Sequence, residues 1–205
     1  MDHTENSGWE DRLRQQIRMS LEAKQAFLDD ASLFAELVRA CTMAEETCRH
    51  GHRILIAGNG GSAADAQHIA AELVSRFFFD RPALSALALT TDTSILTAIG
   101  NDYGFEHVFS RQIEAHGRAG DLFMAISTSG NSPNIIAAIE AARKRSMRII
   151  GLTGRSGGGM APLCDCCIRV ASDSTPRIQE GHILVGHLIA AHVEQAMFGS
   201  GNTAR

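Results

Sequence analysis

The sequence predicts a doubly wound α/β sheet preceded by a helical hairpin. Five short apolar runs do not alternate with polar residues, as expected of parallel strands covered on both faces. Segments of helical period separate the runs, and strand–helix alternation of this kind builds a parallel sheet. Turns rich in glycine and hydroxyl groups follow the runs, which is where open α/β sheets hold ligands.

The elements follow in order. Residues from about 9 to 49 read as helical: "LRQQIRMSLEAKQAFL" and "SLFAELVRACTMAEETC" carry apolar positions three and four apart with no glycine or proline. Asp30 and Ser32 lie between the two runs and suit a cap for the second. After His50 and Gly51 the pattern changes to the strand runs "RILIAG", "ALSALALTT", "DLFMAIST", "MRIIGLTG" and "CCIRVA". Helical segments are expected at about 62–78, in pieces over 93–117, at 132–146, briefly around 159–164, and at 176–198. The chain is expected to form one domain over 1–205, with the α/β core at about 52–198.

Bulk composition narrows the function. Hydrophobic residues make up 44% and charged residues 20%, ordinary for a globular protein. A net charge of −4 with no Lys/Arg cluster argues against nucleic acid as a partner. No run approaches the ~18 apolar residues of a membrane span. The start, "MDHTENSGWEDRLRQQ", is polar and lacks the apolar region of a secretory signal. The five cysteines form an odd, clustered set, so reduced thiols and a cytoplasmic location are expected.

Two turns look built for a phosphosugar. In "AISTSGNSPN", Ser127, Thr128, Ser129 and Ser132 crowd one strand-to-helix turn, and Pro133 suits the first helical position, with Ser132 at the N-cap. A helix N-terminus offers N–H groups and the positive dipole end to an anion. In "GNGGS", Gly60 and Gly61 let a ligand approach the backbone, Asn59 can donate or accept, and Ser62 is expected to cap the next helix. Gly58, Gly60 and Ala63 also fit the G-x-G-x-x-A dinucleotide fingerprint, with Asp92 as a ribose acid. A dinucleotide has no use for the hydroxyl-rich turn, which favours a short sugar phosphate.

The ionisable residues supply the chemistry. His68 and Glu72 are i and i+4, side by side on one helix face. In "RIQEGHILVGH", Gln179 and His187 point about 80° apart, separated by about 12 Å along the axis, while His182 lies about 140° from His187. His182 is therefore expected on the helix surface or at an interface. If His68, Glu72, Gln179 and His187 converge, the nitrogen and oxygen donors suit zinc or another first-row divalent ion. A metal beside two bases and a phosphosugar fits aldose–ketose isomerisation. Asn101 and Asp102, in "AIGNDYGFEHVF", could reach sugar hydroxyls. Cys164 and Cys167 form a lone C-x-x-C whose simplest reading is structural burial, with Cys166 and Cys167 opening a buried strand.

Together these motifs resemble a known family. "GNGGSAADAQHIAAEL", "TTDTSILTAIGNDYGFEHVFSRQIEAHGRAGD", "ISTSGNSPN", "GLTGRSGG" and "RIQEGHILVGH" are similar, in the same order, to the sedoheptulose 7-phosphate (phosphoheptose) isomerases of the sugar isomerase, or SIS, domain group. The resemblance implies a flavodoxin-like five-stranded parallel sheet in a homotetramer with active sites at subunit interfaces. It implies conversion of sedoheptulose 7-phosphate to D-glycero-D-manno-heptose 7-phosphate, the first step toward ADP- or GDP-heptose. Carried over by motif, His68, Glu72, Gln179 and His187 would bind one zinc ion per subunit, with Glu72 and His187 as the acid/base pair. Asn59, Gly60, Gly61, Asn101, Asp102, Ser127, Thr128, Ser129, Ser132 and Gln179 would contact substrate. The chain departs from some members at Ala63 and Ala64, which removes no implied ligand. Two alternatives share the fold: a non-catalytic SIS protein that associates with the bacterial replication initiator, and a metal-free sugar-phosphate sensor. The scaffold has no need of Glu72, Asp102 and His187 together.

Overall fold

The computed structural model describes residues 4–199, with side chains from residue 8 onward. Residues 1–3 and 200–205 of the expected domain lie outside the described residues.

Two helices come first, α1 (Thr4–Asp29) and α2 (Ala31–Arg49). Asp30 caps α2 as expected: its Oδ1 accepts from the N–H of Ser32 at 2.9 Å and of Leu33 at 3.1 Å. One carboxylate thereby satisfies two of the N–H groups that a helix start leaves unpaired. The α/β part then runs β1 (Ile54–Gly58), α3 (Gly61–Val74), β2 (Ala86–Ala88), α4 (Thr93–Asp102), α5 (Ser110–His116), β3 (Leu122–Ile126) and α6 (Pro133–Lys144). It closes with β4 (Arg148–Thr153), β5 (Cys166–Arg169) and α7 (Thr175–Phe198). Single 3₁₀ turns stand at Phe105–His107 and Ala161–Leu163.

All five strands are parallel, in the order β2-β1-β3-β4-β5. This is the flavodoxin-like order, and its switch point lies between β1 and β3. There the chain departs to one side for β2 and to the other for β4, leaving a crevice beyond the carboxyl ends. β1 and β3 end level, with Gly58 opposite Ile126. The turns after both strands are therefore neighbours.

The pleat sends alternate residues to opposite faces. Ile54, Ile56, Met124 and Ile150 pack with Phe27, Leu37, Ile69, Val185 and Ile189, so α1, α2, α3 and α7 cover one face. Leu55, Ala57, Phe123 and Ile149 pack with Val108, Ile113, Ile135 and Ile139 on the other. Each fully buried side chain of this size contributes about 1.5–3 kcal/mol, which is why runs apolar on both faces become central strands. β2 is shorter than its apolar run, because an edge strand has a partner on one side only. Leu89 leaves the ladder and buries in the second core, its N–H donating to Ile56 O at 2.9 Å.

α3 and α7 lie side by side and parallel. A Cβ added at Gly186 would sit 2.5 Å from Ile69 Cδ1, so only glycine permits this approach. Behind the C-terminal end of α3, the buried Glu194 accepts the backbone N–H of Phe77 at 2.8 Å and of Phe78 at 2.6 Å. It also pairs with Arg81 Nε at 3.1 Å. Arg81 in turn donates to Glu72 O at 2.8 Å and Leu73 O at 2.7 Å, capping the α3 carbonyls. No sequence motif announced this anchor.

Candidate active site at the switch point

The turn after β1 tightens earlier than the sequence suggests. The N-cap of α3 is Gly60, at φ 54°, and not Ser62. Ser62 is already helical and buried, because its Cβ fills the space beside the Gly58 Cα. Asn59 reaches across the switch point. Its amide and that of Asn134 exchange hydrogen bonds in both directions at 2.9 Å, tying the β1 turn to the first turn of α6. Asn134 was not singled out from sequence, and only its place beside the Ser132–Pro133 helix start could have pointed to it.

The turn after β3 has the expected form. Ser132 is the N-cap of α6 and Pro133 opens the helix. Ser132 Oγ lies 2.9 Å from Ser127 Oγ, which in turn lies 3.5 Å from Ser129 Oγ. The Ser132 side chain makes no capping bond to α6, so the N–H groups there keep no side-chain acceptor. Hydroxyls linked to one another around a free helix start make a receptor for an anion. The segment after β4 braces this turn: Gly154 N donates to Thr128 O at 3.0 Å, Met160 N to Gly130 O at 2.9 Å, and Gly159 N to Asn131 Oδ1 at 2.8 Å.

Gly130 is held at φ 67°, and a Cβ there would strike the Gly157 carbonyl oxygen. Gly130→Ala is expected to lower stability by at least the ~1–2 kcal/mol of a left-handed residue. Thermal unfolding of the variant checks this, and an unchanged midpoint would refute it.

His68, Glu72 and His187 converge where α3 meets α7. His68 Nε2 lies 2.9 Å from His187 Nε2 and 3.2 Å from Glu72 Oε1. The three donor atoms are all within 4.8 Å of one another. Two imidazole nitrogens this close share one proton or face one cation. Tetrahedral bonds of about 2.0–2.1 Å place donor atoms ~3.4 Å apart, so the trio fits a divalent ion with small adjustments. The Phe77 ring lies 5.6 Å from the His187 ring and shields its flank.

Gln179 stands lower on α7, its amide packed against Gly61 at the start of α3. The axial rise expected between Gln179 and His187 is thus matched along α3 by that between Gly61 and His68. Asn101 and Asp102 occupy the exposed last turn of α4, with Asn101 Nδ2 donating to Asp102 Oδ1 at 2.7 Å. Among the described residues no hydrogen bond joins them to the trio. Asp92 caps α4 by accepting from Ile95 N at 2.9 Å, which accounts for it without a ribose.

Two further groups bear on the electrostatics. Asp65, one turn before His68, was not foreseen. Its Oδ2 is buried without a hydrogen-bond partner. Burial raises its carboxyl, and His68 and His187 pull it part of the way back. His182 is not on the helix surface: it is completely buried. It falls in the apolar stripe of Ile178, Val185 and Ile189 that packs on the sheet. Burial pushes its imidazole down to about 4, against a weaker upward pull from the Thr153 backbone. It is neutral and internal at neutral pH.

Comparison with known proteins agrees with this geometry. Residues 22–154 match the SIS domain. The phosphoheptose isomerase of Aneurinibacillus thermoaerophilus is 58% identical over 188 residues, 92% of this chain and 95% of that protein. Phosphoheptose isomerase 2 of Campylobacter jejuni is 56% identical, over 89% of this chain and 90% of its own length. The solved phosphoheptose isomerase of Neisseria gonorrhoeae superposes with a TM-score of 0.85 at 46% identity, covering 91% of this chain and 99% of that one. That of Francisella tularensis gives 0.86 at 36% identity, covering 90% and 97%. The chain belongs to the SIS-domain family, among the phosphoheptose isomerases, and is a phosphosugar isomerase.

Proposed function

We propose that the chain interconverts sedoheptulose 7-phosphate and D-glycero-D-manno-heptose 7-phosphate, the opening step toward ADP- or GDP-heptose. The observation that carries this reading is the convergence of His68, Glu72 and His187 where α3 meets α7, on the helix that opens at the glycine turn after β1. Ser127, Thr128, Ser129, Ser132 and the N–H groups of α6 hold the phosphate. Asn59, Gly60, Gly61, Ser62, Asn101 and Asp102 surround the sugar, with Ser62 contributing through its backbone since its side chain is buried.

The two protons move on carbon. The Glu72 carboxylate removes a proton from the carbon next to the carbonyl, giving an enediol(ate). His187 returns a proton to the former carbonyl carbon, and the proton between the two oxygens transfers to complete the balance. A zinc ion held by His68, Glu72, Gln179 and His187 would stabilise the negative charge that gathers on the substrate oxygens. Phe77 and the α3–α7 contact keep bulk water from one side of the site.

The reading includes a homotetramer. An apolar groove of about 470 Å³ runs between α1, α2 and α7, lined by Phe27, Leu28, Phe34, Val38 and Leu188. Tyr103 and Phe105 beside Asp102 are also exposed, and α4 has no buried residue. Copies packed on these faces would cover them and could bring Asn101 and Asp102 to a neighbour's site. Among the described residues no helix is long and apolar enough to cross a membrane, and all five cysteines are free thiols, in keeping with a cytoplasmic enzyme.

The zinc-loaded enzyme is expected to exchange deuterium from heavy water into C1 of sedoheptulose 7-phosphate and C2 of the aldose formed from it, followed by NMR. Absence of exchange with zinc present sinks the reading. His187→Ala should weaken zinc binding by at least ~100-fold, since lesser changes outside a ligand shell already cost 10–100-fold. Elemental analysis of the purified variant reads this directly, and parent zinc content would remove His187 from the ligand set.

A further inference from the structure

The mechanism leaves the C-x-x-C unused, and the structure sorts the cysteines into two kinds. Cys41, Cys48 and Cys166 are buried, and burial raises all three thiols, the first two to about 11. Cys164 and Cys167 are only half-buried. Both sulfurs enter one hollow over Gly151 in β4: a Cβ there would lie 2.6 Å from Cys164 Sγ and 3.3 Å from Cys167 Sγ. The Cys164 thiol donates to the Met160 carbonyl oxygen at 3.3 Å. The neighbouring Cys164 side chain holds the Cys167 thiol below its ordinary value, against burial and with help from Arg169. Thiolate character and access are what make a cysteine reactive.

This pair is also tied to the phosphate turn. Cys164 follows the 3₁₀ turn at Ala161–Leu163 and bonds the Met160 carbonyl. The Met160 N–H donates to Gly130 O, and Gly159 N–H donates to Asn131 Oδ1, both inside the hydroxyl-rich turn. Residues 157–164 form a strut with a thiol at one end and the turn at the other.

We propose that Cys164 and Cys167 are a redox-active dithiol that hydrogen peroxide closes into an intrachain disulfide, loosening the phosphate turn. Cys167 thiolate attacks one peroxide oxygen. The O–O bond breaks, Cys167 becomes a sulfenic acid, and hydroxide leaves to take up the proton that the thiol released. Cys164 sulfur then attacks Cys167 sulfur, the S–S bond forms, the S–O bond breaks, and the departing hydroxide takes the Cys164 proton. Two thiols lose two electrons and one peroxide becomes two waters. Closure to a bond of about 2.05 Å removes the thiol proton that held the Met160 carbonyl and pulls on the strut. The coupling to the turn rests on the phosphosugar reading above, whereas the thiol chemistry does not.

The test uses the full-length, zinc-loaded enzyme, reduced and then exposed to hydrogen peroxide. Free thiols are counted by maleimide labelling after unfolding, and cross-links are mapped by mass spectrometry. The expected result is loss of two thiols per chain, a Cys164–Cys167 link that survives Cys166→Ser, and full return with dithiothreitol. Unreacted thiols, a link to Cys166, or sulfinic acid at Cys167 without a link would overturn the proposal. Cys164→Ser should leave a dimedone-reactive sulfenic acid at Cys167, and no label there removes Cys167 as the attacking thiol. KM for the phosphosugar should rise on closure, recover on reduction, and stay constant in Cys167→Ser. A link that forms without moving KM overturns the coupling, and the thiol count is readable even if sedoheptulose 7-phosphate is not the substrate.

Discussion

Glu72→Gln is expected to lower kcat by about 10²–10⁴-fold, the usual worth of a positioned general base, while phosphosugar binding stays measurable. The amide keeps the size of the carboxylate and loses its charge and proton affinity. Nothing in the proposed phosphate turn is touched: the segment Ser127–Ser132 is built from its own hydroxyls and braced from residues 154–160. The backbone at the position is also secure, since Arg81 holds Glu72 O at 2.8 Å independently of the side chain. Binding is read by calorimetry with sedoheptulose 7-phosphate and turnover by direct assay, both at saturating zinc so that weaker metal retention is not mistaken for a lost base. A variant that keeps the parent rate shows that another group removes the proton, and Asp65 would be the next to test.

Glu194→Ala is expected to destabilise the protein by about 3–5 kcal/mol, the cost of stranding one member of a buried ion pair. Arg81 and Glu194 are 1% and 0% exposed in their side chains, so water replaces neither partner. The carboxylate also serves the backbone N–H groups of Phe77 and Phe78, which would lose their acceptor. For a chain of this size the thermal midpoint should fall by ~10 °C. Activity should fall with it, because the freed Arg81 no longer fixes the end of α3 that carries Glu72. Exchanging both Arg81 and Glu194 for methionine should recover much of the lost stability, since an apolar pair leaves no charge behind. If the double variant is no better than Glu194→Ala, the hydrogen bonds of Glu194 to Phe77 and Phe78 and of Arg81 to the α3 carbonyls, and not the stranded charge, carry the loss. The pair also predicts an acid limb. Burial would raise the Glu194 carboxyl, but its backbone and Arg81 hydrogen bonds outweigh that and hold it below the ordinary 4.5. A lowered folded value gives stability that is full above the unfolded pKa and drains as pH drops through the folded one. The parent should therefore lose stability below about pH 4.5, and Glu194→Gln should show a shallower loss there.

The sheet was legible because burial on both faces writes a continuous apolar run, and each of the five runs contains one strand. Local caps were legible where one residue decides the matter: Asp30 through its carboxylate, and Ser132 because Pro133 after it fixes the first helical position. Ser62 misled because Gly60, at positive φ, bends the chain sharply enough to start α3 two residues earlier. His68 and Glu72 could be paired from spacing, but their meeting with His187 depends on how α3 and α7 pack, which no local pattern states. His182 was missed despite a usable signal: its spacing from Ile178, Val185 and Ile189 is that of a core stripe, and its polar side chain hid it. The Arg81–Glu194 anchor and the Asn59–Asn134 bridge join residues far apart in sequence. Neither end of either pair is unusual by itself.

The glycine at 186 touches no proposed ligand, yet it governs a distance on which the chemistry depends. Its missing Cβ lets α7 settle against Ile69, the residue next to His68, and so sets how far apart the two imidazoles stand. Under the zinc reading proposed above, ionic radius would be read by helix spacing as much as by donor identity. A lineage under pressure to exchange one divalent ion for another could retune the gauge at 186 or 69 and leave every donor in place.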